Sequence, residues 1–283
     1  MDFLKNRIEC IFNQPLMRVN RLSGGCIGDV FQLCLKDGQD LVAKYDPKGC
    51  QLGLEGKMLA YLACQTELIV PELYHHSDDL LVMQYLAHNG RLGKQGEEEA
   101  ADALATLHQV KSSAYGFEFD TLIGGLHQPN TWCEDWFDFY AQHRLGYMAD
   151  QAITAGYMNS TYRTRIEKLS LKLADIAPQP KHPSLVHGDL WAGNVLGDQG
   201  RLTGFIDPAI YFGHPEMDLA FSTLFNSFSP HFYARYQEQH PLEKDFFEDR
   251  VDLYNLYPLL VHVRLFGEAY VGDVDRILRK FGC

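Results

Sequence analysis

Strand-like runs of apolar residues occur early in the chain, at Asp29 to Leu35 and Leu41 to Tyr45, joined by Lys36-Asp37-Gly38-Gln39-Asp40. Turn formers between two such runs predict a β-hairpin. A helix is expected from Gln51 to Cys64, then a Pro-bounded connection and a third strand over Leu80 to Leu86. This part reads as a small sheet with one helix. Ala87-His88-Asn89-Gly90-Arg91-Leu92-Gly93 carries turn formers and reads as a hinge. Beyond it the spacing becomes helical: Glu97 to Val110 follows an acidic first turn, and Trp132 to Gln151 and Thr161 to Ile176 show the same period. Ala177-Pro178-Gln179-Pro180-Lys181-His182-Pro183 forces an extended segment, since proline removes a donor and restricts its predecessor. From Glu216 the tail is again mainly helical, and neither an internal repeat nor a low-complexity segment is visible. The pattern thus changes once, near residue 87. It predicts an α+β chain with an N-terminal lobe over 1–87 and a helical C-terminal lobe over 88–283.

One stretch stands apart from this alternation. Leu185-Val186-His187-Gly188-Asp189-Leu190-Trp191-Ala192-Gly193-Asn194-Val195 is followed at Phe205-Ile206-Asp207-Pro208 by a second acidic position. Between them, Val195-Leu196 and Leu202 to Ile206 read as short strands around a Gly-Asp-Gln-Gly turn. Phosphoryl transfer from ATP asks for a carboxylate that accepts the acceptor hydroxyl's proton, an amide five residues on, and an acid beyond the next hairpin to hold magnesium. Asp189, Asn194 and Asp207 stand at those spacings. An isolated D-x-x-x-x-N is common by chance, so the setting raises the signal.

The N-terminal lobe supplies complementary parts. Ser23-Gly24-Gly25-Cys26-Ile27-Gly28 precedes the first hairpin strand, where Gly24, Gly25 and Gly28 let backbone N–H groups approach phosphate oxygens. The loop departs from G-x-G-x-x-G and lacks the G-K-[ST] ending of a Walker loop. Lys44 ends the apolar strand Leu41-Val42-Ala43-Lys44 as in V-A-I-K, and Glu55 on the following helix is its expected ion-pair partner. Taken alone, Lys44 would read as a solvated strand end; the downstream motif changes that reading.

Composition narrows the remainder. The 283 residues can bury a large core, and 25 basic against 37 acidic residues give a net charge of −12. With no basic patch visible, that balance opposes nucleic acid and anionic membrane as partners. The seven cysteines are scattered, without a C-x-x-C pair, and read as reduced cytosolic thiols. No signal peptide or membrane-spanning run is visible, so a cytoplasmic protein is expected, with a monomer as the working assumption.

Taken together, the motifs identify the chain as similar to the fructosamine kinases, or ketosamine 3-kinases, within the aminoglycoside phosphotransferase and choline kinase-like superfamily. Family-like stretches are Gly24-Gly25-Cys26-Ile27, Tyr115-Gly116-Phe117, Gln128-Pro129-Asn130-Thr131-Trp132 with Asp135-Trp136, Arg144-Leu145, His187-Gly188-Asp189-Leu190-Trp191, Ile206-Asp207-Pro208-Ala209-Ile210-Tyr211 and Gly213-His214-Pro215-Glu216-Met217-Asp218-Leu219-Ala220. H-G-D-x-x-x-x-N marks the superfamily; the others are narrower. The resemblance implies a bilobal, protein kinase-like fold with a small antiparallel N-terminal sheet, ATP and Mg2+ in the cleft, and transfer of the γ-phosphoryl group to a ketosamine 3-hydroxyl. It implies Asp189 as base, Asn194 and Asp207 as magnesium ligands, and Met83, Gln84 and Tyr85 as the adenine-binding hinge. Such an enzyme would serve in deglycation or metabolite repair, on free or protein-linked ketosamines.

Three departures from related patterns bear on this. Lys57 stands where some relatives carry a second acid, Pro208 follows Asp207 in place of a protein kinase's Gly, and no A-P-E segment follows. The last two argue against a protein substrate and fit a small-molecule kinase with no phosphorylated activation loop. Trp191 reads either as a wall of the acceptor site or as an indole packed beneath the catalytic loop. Trp132, His214 and Glu216 are further candidates for contact with the acceptor. Trp132 and Trp136, four apart on an expected helix, suit packing better than a ligand box. His187 is expected to fix the loop by hydrogen bonds, and Asp218 to tether it around Gly188. An aminoglycoside- or choline-type phosphotransferase is the rival enzyme; a nucleotide-binding pseudokinase is the rival outside catalysis.

Overall fold

The computed structural model describes residues 2–22, 28–49, 51–90, 92–242 and 244–283. Gly24, Gly25 and Cys26 lie outside the described residues. Helix α1 (Asp2–Phe12) leads into a five-stranded antiparallel sheet made of β1 (Leu16–Leu22), β2 (Asp29–Leu35), β3 (Asp40–Tyr45), β4 (Leu73–Ser77) and β5 (Leu80–Gln84). The order is β1-β2-β3-β5-β4, with α2 (Leu52–Gln65) inserted between β3 and β4. Strand periodicity sorts the two faces. Phe31, Leu33, Leu35, Leu41 and Ala43 pack with Leu4 and Ile8 of α1. Val42 turns the other way, toward Leu52 and Leu59 of α2 with Leu81 and Met83. Lys44, two residues on, shares that second face.

The expected hairpin is present with Asp29 opposite Tyr45 and Phe31 opposite Ala43. The sheet is larger than the three strands and one helix read from the sequence: α1, β1 and β4 are additions. β1 and β4 are edge strands with polar interruptions, Arg18 and Asn20-Arg21 in the first and His75-His76-Ser77 in the second, and such edges escape an apolar-run criterion.

The rest is mainly helical around one large apolar core. It contains α3 (Lys94–Leu107), the hairpin β6 (Thr121–Ile123) and β7 (Leu126–Gln128), α4 (Trp136–Phe139), a π-helical stretch over Tyr140–Gly146, α5 (Tyr147–Thr154), α6 (Ser160–Ser170) and α7 (Leu173–Ile176). Then come β8 (Ser184–Val186), β9 (Val195–Asp198), β10 (Arg201–Phe205), β11 (Tyr211–Gly213), α8 (Glu216–Thr223), α9 (Pro230–Gln239), α10 (Arg250–Phe266) and α11 (Val271–Lys280). The helix expected from Trp132 begins only at Trp136, because the Asp135 side chain caps it by accepting from the Asp138 N–H. Trp132 is therefore not on that helix. Helix α6 likewise ends at Ser170, and a separate short helix follows. In the π-helical stretch Arg144 turns fully inward, donating to the Pro129 carbonyl and Asn130 Oδ1, both at 2.7 Å, with its guanidinium 3.8 Å from the centre of the Tyr211 ring. Among the described residues no helix is long and apolar enough to cross a membrane.

Candidate active site

Two small pairings assemble the catalytic segment. β8 and β11 pair Val186 with Tyr211, bringing the loop after Val186 beside the residues before Tyr211. β9 and β10 form the antiparallel hairpin expected from the sequence, its turn at Gln199 and Gly200 in the left-handed region. The Ile206 N–H donates to the Asn194 carbonyl and the Ala209 N–H to the His187 carbonyl. Gly188 has φ +83°, and a Cβ there would lie 2.1 Å from the Ala209 carbonyl oxygen, so only glycine fits.

Asp218 at the start of α8 fastens this loop. Its carboxylate accepts from the backbone N–H groups of His187 (2.7 Å) and Gly188 (2.8 Å), and His108 Nε2 lies 3.1 Å from it. This is the tether read from the sequence. His187 is fully buried, and its Nδ1 accepts from the Asp189 N–H at 3.3 Å. The ring holds the loop from inside.

Asp189, Asn194 and Asp207 meet on the floor of a cleft of about 870 Å³ between sheet and helices. The Asn194 side-chain N–H group donates to both the carbonyl and Oδ2 of Asp189, each at 2.9 Å, leaving the amide oxygen of Asn194 outside these bonds. Burial, then the neighbouring Asp207 carboxylate, pushes the Asp189 carboxyl up to about 7. Asp207 adopts φ 53°, a left-handed conformation that costs energy for a residue with a side chain. From the sheet, Lys44 reaches across: Nζ lies 2.7 Å from Glu55 Oε1 and 2.6 Å from Asp207 Oδ1. Lys44 and Glu55 are 6 % and 4 % exposed. Burial opposes the lysine's charge, but the two carboxylates outweigh it and raise its pKa.

Met83, Gln84 and Tyr85 line the opposite end of the cleft with Leu22, Val30 and Val42. The Gln84 N–H already donates to the Glu72 carbonyl and the Tyr85 N–H to that of Asp40. The next residue, Leu86, also lines the cleft, and among the described residues its N–H has no recorded partner. Gly28, at φ 65°, is not among the cleft-lining residues.

The four candidates for acceptor contact separate. Trp191 lines the cleft, its ring over Gly193, where a Cβ would come within 2.3 Å of it. The indole thus both lines the cleft and packs on the loop that carries Asp189. Trp132 is half exposed, stacks on Phe212 at 6.2 Å, and is not among the lining residues. His214 and Glu216 do not line the cleft either. His214 is buried against Trp136 and Tyr254, and burial, then Arg250, pushes its pKa down to about 3. Glu216 receives two hydrogen bonds from the buried Arg250, at 2.7 and 2.8 Å. An ion pair so enclosed serves the core, because freeing the glutamate would break two hydrogen bonds to a buried guanidinium. The partner stands 34 residues further along, which is why the short motif alone suggested a substrate contact.

An antiparallel sheet and a helical body enclosing such a cleft form the fold of the protein kinase-like phosphotransferases. An aminoglycoside phosphotransferase solved with streptomycin and ATP shares it at a TM-score of 0.64 and 18% identity, covering 98% of this chain and 95% of that one. The sequence profile described as fructosamine kinase matches residues 6–281, and the chain belongs to that family. It is 39% identical over 190 residues to a probable ketoamine kinase of Enterococcus faecium, covering 67% of this chain and 68% of that protein. It is 31% identical to the chloroplastic protein-ribulosamine 3-kinase of Arabidopsis thaliana, covering 94% and 83%. A crystal structure of a candidate fructosamine-3-kinase from Thermobifida fusca superposes with a TM-score of 0.87 at 28% identity, covering 99% of this chain and 98% of that one.

Proposed function

We propose that this ketoamine kinase family member transfers the γ-phosphoryl group of ATP, with magnesium, to the 3-hydroxyl of a ketosamine. The observation that carries the reading is the convergence of Asp189, Asn194, Asp207 and the Lys44–Glu55 pair on one cleft. In this reading residues 1–87 hold the nucleotide and residues 88–283 the acceptor. Adenine lies between Val30 and Val42 above and Leu196 and Ile206 below, with the Leu86 N–H as a free donor. Lys44, fixed by Glu55, presents its ammonium to phosphate oxygens. Asp189 accepts the hydroxyl proton as the sugar oxygen bonds to the γ-phosphorus and the bond to the β-bridging oxygen breaks, leaving ADP.

The donors present fit magnesium. The amide oxygen of Asn194 and the Asp207 carboxylate are hard oxygen ligands, and a cation held by few side chains completes its shell with phosphates and water. Among the described residues no cluster of three His, Cys, Asp or Glu side chains is arranged to hold a metal. When bound, the ion would neutralise charge on the phosphates.

The test is ADP release by purified protein with ATP and magnesium on ribulosamine, fructosamine, choline and kanamycin, with 31P spectra locating the product phosphate. Turnover of a ketosamine with phosphate on O3 is expected; turnover of choline or kanamycin alone would replace this reading with the rival enzyme class. Lys44→Met is expected to lower kcat/KM for ATP by roughly a hundredfold, in the range seen when one group stabilising transferring charge is lost. An unaltered kcat/KM for ATP would remove Lys44 from the phosphate site.

A further inference from the structure

Phosphoryl transfer accounts for the floor and the nucleotide end of the cleft, but not for its far wall. There α10 contributes His262 and Phe266, four apart on one face, and Tyr270 follows just beyond the helix. Phe225 joins them from the segment after α8. The His262 ring is the hub, with centroids 5.3 Å from Phe225, 5.4 Å from Phe266 and 5.0 Å from Tyr270. Phe225 also meets Trp191 at 6.0 Å, so the cluster is continuous with the loop that carries Asp189. Phe225 and Phe266 are nevertheless 51 % and 56 % exposed. An apolar surface held open inside a concave site is a binding surface more often than a packing residue.

Two further features set this wall apart from core. Phe225 sits at φ 66°, ψ 14°, and Asn226 after it at φ 50°. A bulky ring in the left-handed region is strained, and such strain persists where the surroundings fix a side chain for use. The charge pattern is equally selective. Among the described lining residues from Leu122 onward there is no lysine or arginine, and the acids are Asp189 and Asp207 of the floor. Lys44, on the sheet side, is engaged by Glu55 and Asp207. His262 Nδ1 lies 2.6 Å from the Pro258 carbonyl, to which it donates, and burial lowers its pKa, so it adds a neutral ring.

We infer that this aromatic wall is the subsite for the substituent on the ketosamine nitrogen, and that it selects apolar or aromatic amine adducts over adducts of free amino acids. The inference rests on the kinase reading above. An aryl or alkyl substituent covers the exposed ring faces, and the substituted ammonium next to it meets their π-electrons. The carboxylate of a free amino acid would lose hydration there with no cation to replace it. A lysine side chain in a peptide, whose carboxylate is tied up in amide bonds, belongs to the favoured class.

The experiment compares N-benzyl, N-butyl and glycine adducts of whichever ketose the wild type accepts, in wild type, Phe225→Ala, Phe266→Ala and the double variant. Wild type is expected to favour the benzyl over the glycine adduct by on the order of tenfold or more in kcat/KM, chiefly through KM. The double variant should bring that ratio toward one while the KM for ATP and the melting temperature stay in place. Equal use of the adducts by wild type, preference for the glycine adduct, or a ratio that survives the double substitution would overturn the subsite. Failure of every ketosamine to react would instead overturn the kinase reading, and the subsite with it.

Discussion

Asp189→Asn is expected to reduce kcat by on the order of a thousandfold with little change in nucleotide affinity, since a positioned general base contributes between about a hundred and ten thousand. ADP release and nucleotide titration measure the two quantities separately. A variant that turns over at the wild-type rate would remove Asp189 from the chemistry. The same substitution carries a stability signature in the free protein, measured with EDTA and no nucleotide. Burial, and after it Asp207, lifts the Asp189 carboxyl to about 7, above its unfolded value near 4. The folded chain therefore holds this proton more tightly than the unfolded chain, and the carboxylate costs stability once ionised. That cost is absent at low pH, grows as pH rises from about 4 to 7, and is complete above 7. Asn carries no such cost. The melting temperature of the variant relative to wild type should thus be higher at pH 8 than at pH 5. A difference independent of pH would show that the carboxyl is not perturbed.

Asp218→Ala should be the most damaging single change away from the reacting groups. It strips hydrogen-bond acceptors from two backbone N–H groups and from His108 at a position 1 % exposed. Each stranded buried donor costs about 1–3 kcal/mol, so a total of roughly 3–5 kcal/mol is reasonable after relaxation. For a chain of this size that corresponds to a fall of about 10 °C in melting temperature. Turnover should fall with it, because the tether fixes the loop that carries Asp189. Asp218→Asn keeps one acceptor oxygen and should recover part of both losses. A fall in Asp218→Ala of under 2 °C with turnover intact would show that the loop holds itself.

The parts that could be read from the sequence were those whose chemistry is compressed into a few neighbouring residues. Asp189, Asn194 and Asp207 are joined by a hairpin that local pattern predicts, and Lys44 and Glu55 occupy one sheet face and the helix packed on it. What was missed depends on distant partners. Glu216 looked available until Arg250 closed on it, and His214 until Trp136 and Tyr254 enclosed it. The aromatic wall did leave a signal, His262, Phe266 and Tyr270 at intervals of four, but the face of a buried helix has the same spacing. Only the exposure of Phe266 tells the two apart. Strands β1 and β4 were invisible for a different reason: as edges they carry polar residues that a central strand would exclude.

The π-helical stretch at Tyr140–Gly146 holds the wider turn that accommodates one extra residue within a helix. Losing one residue there would restore ordinary α pitch and leave the helix beyond it facing nearly the same way, because the π turn already absorbs the extra residue. Met148, Ala149 and Ala152 of α5 would keep their place in the core, whereas the same loss at the start of α5 would turn them by about 100° around the helix axis. Length can change at this point with less harm than one turn further on.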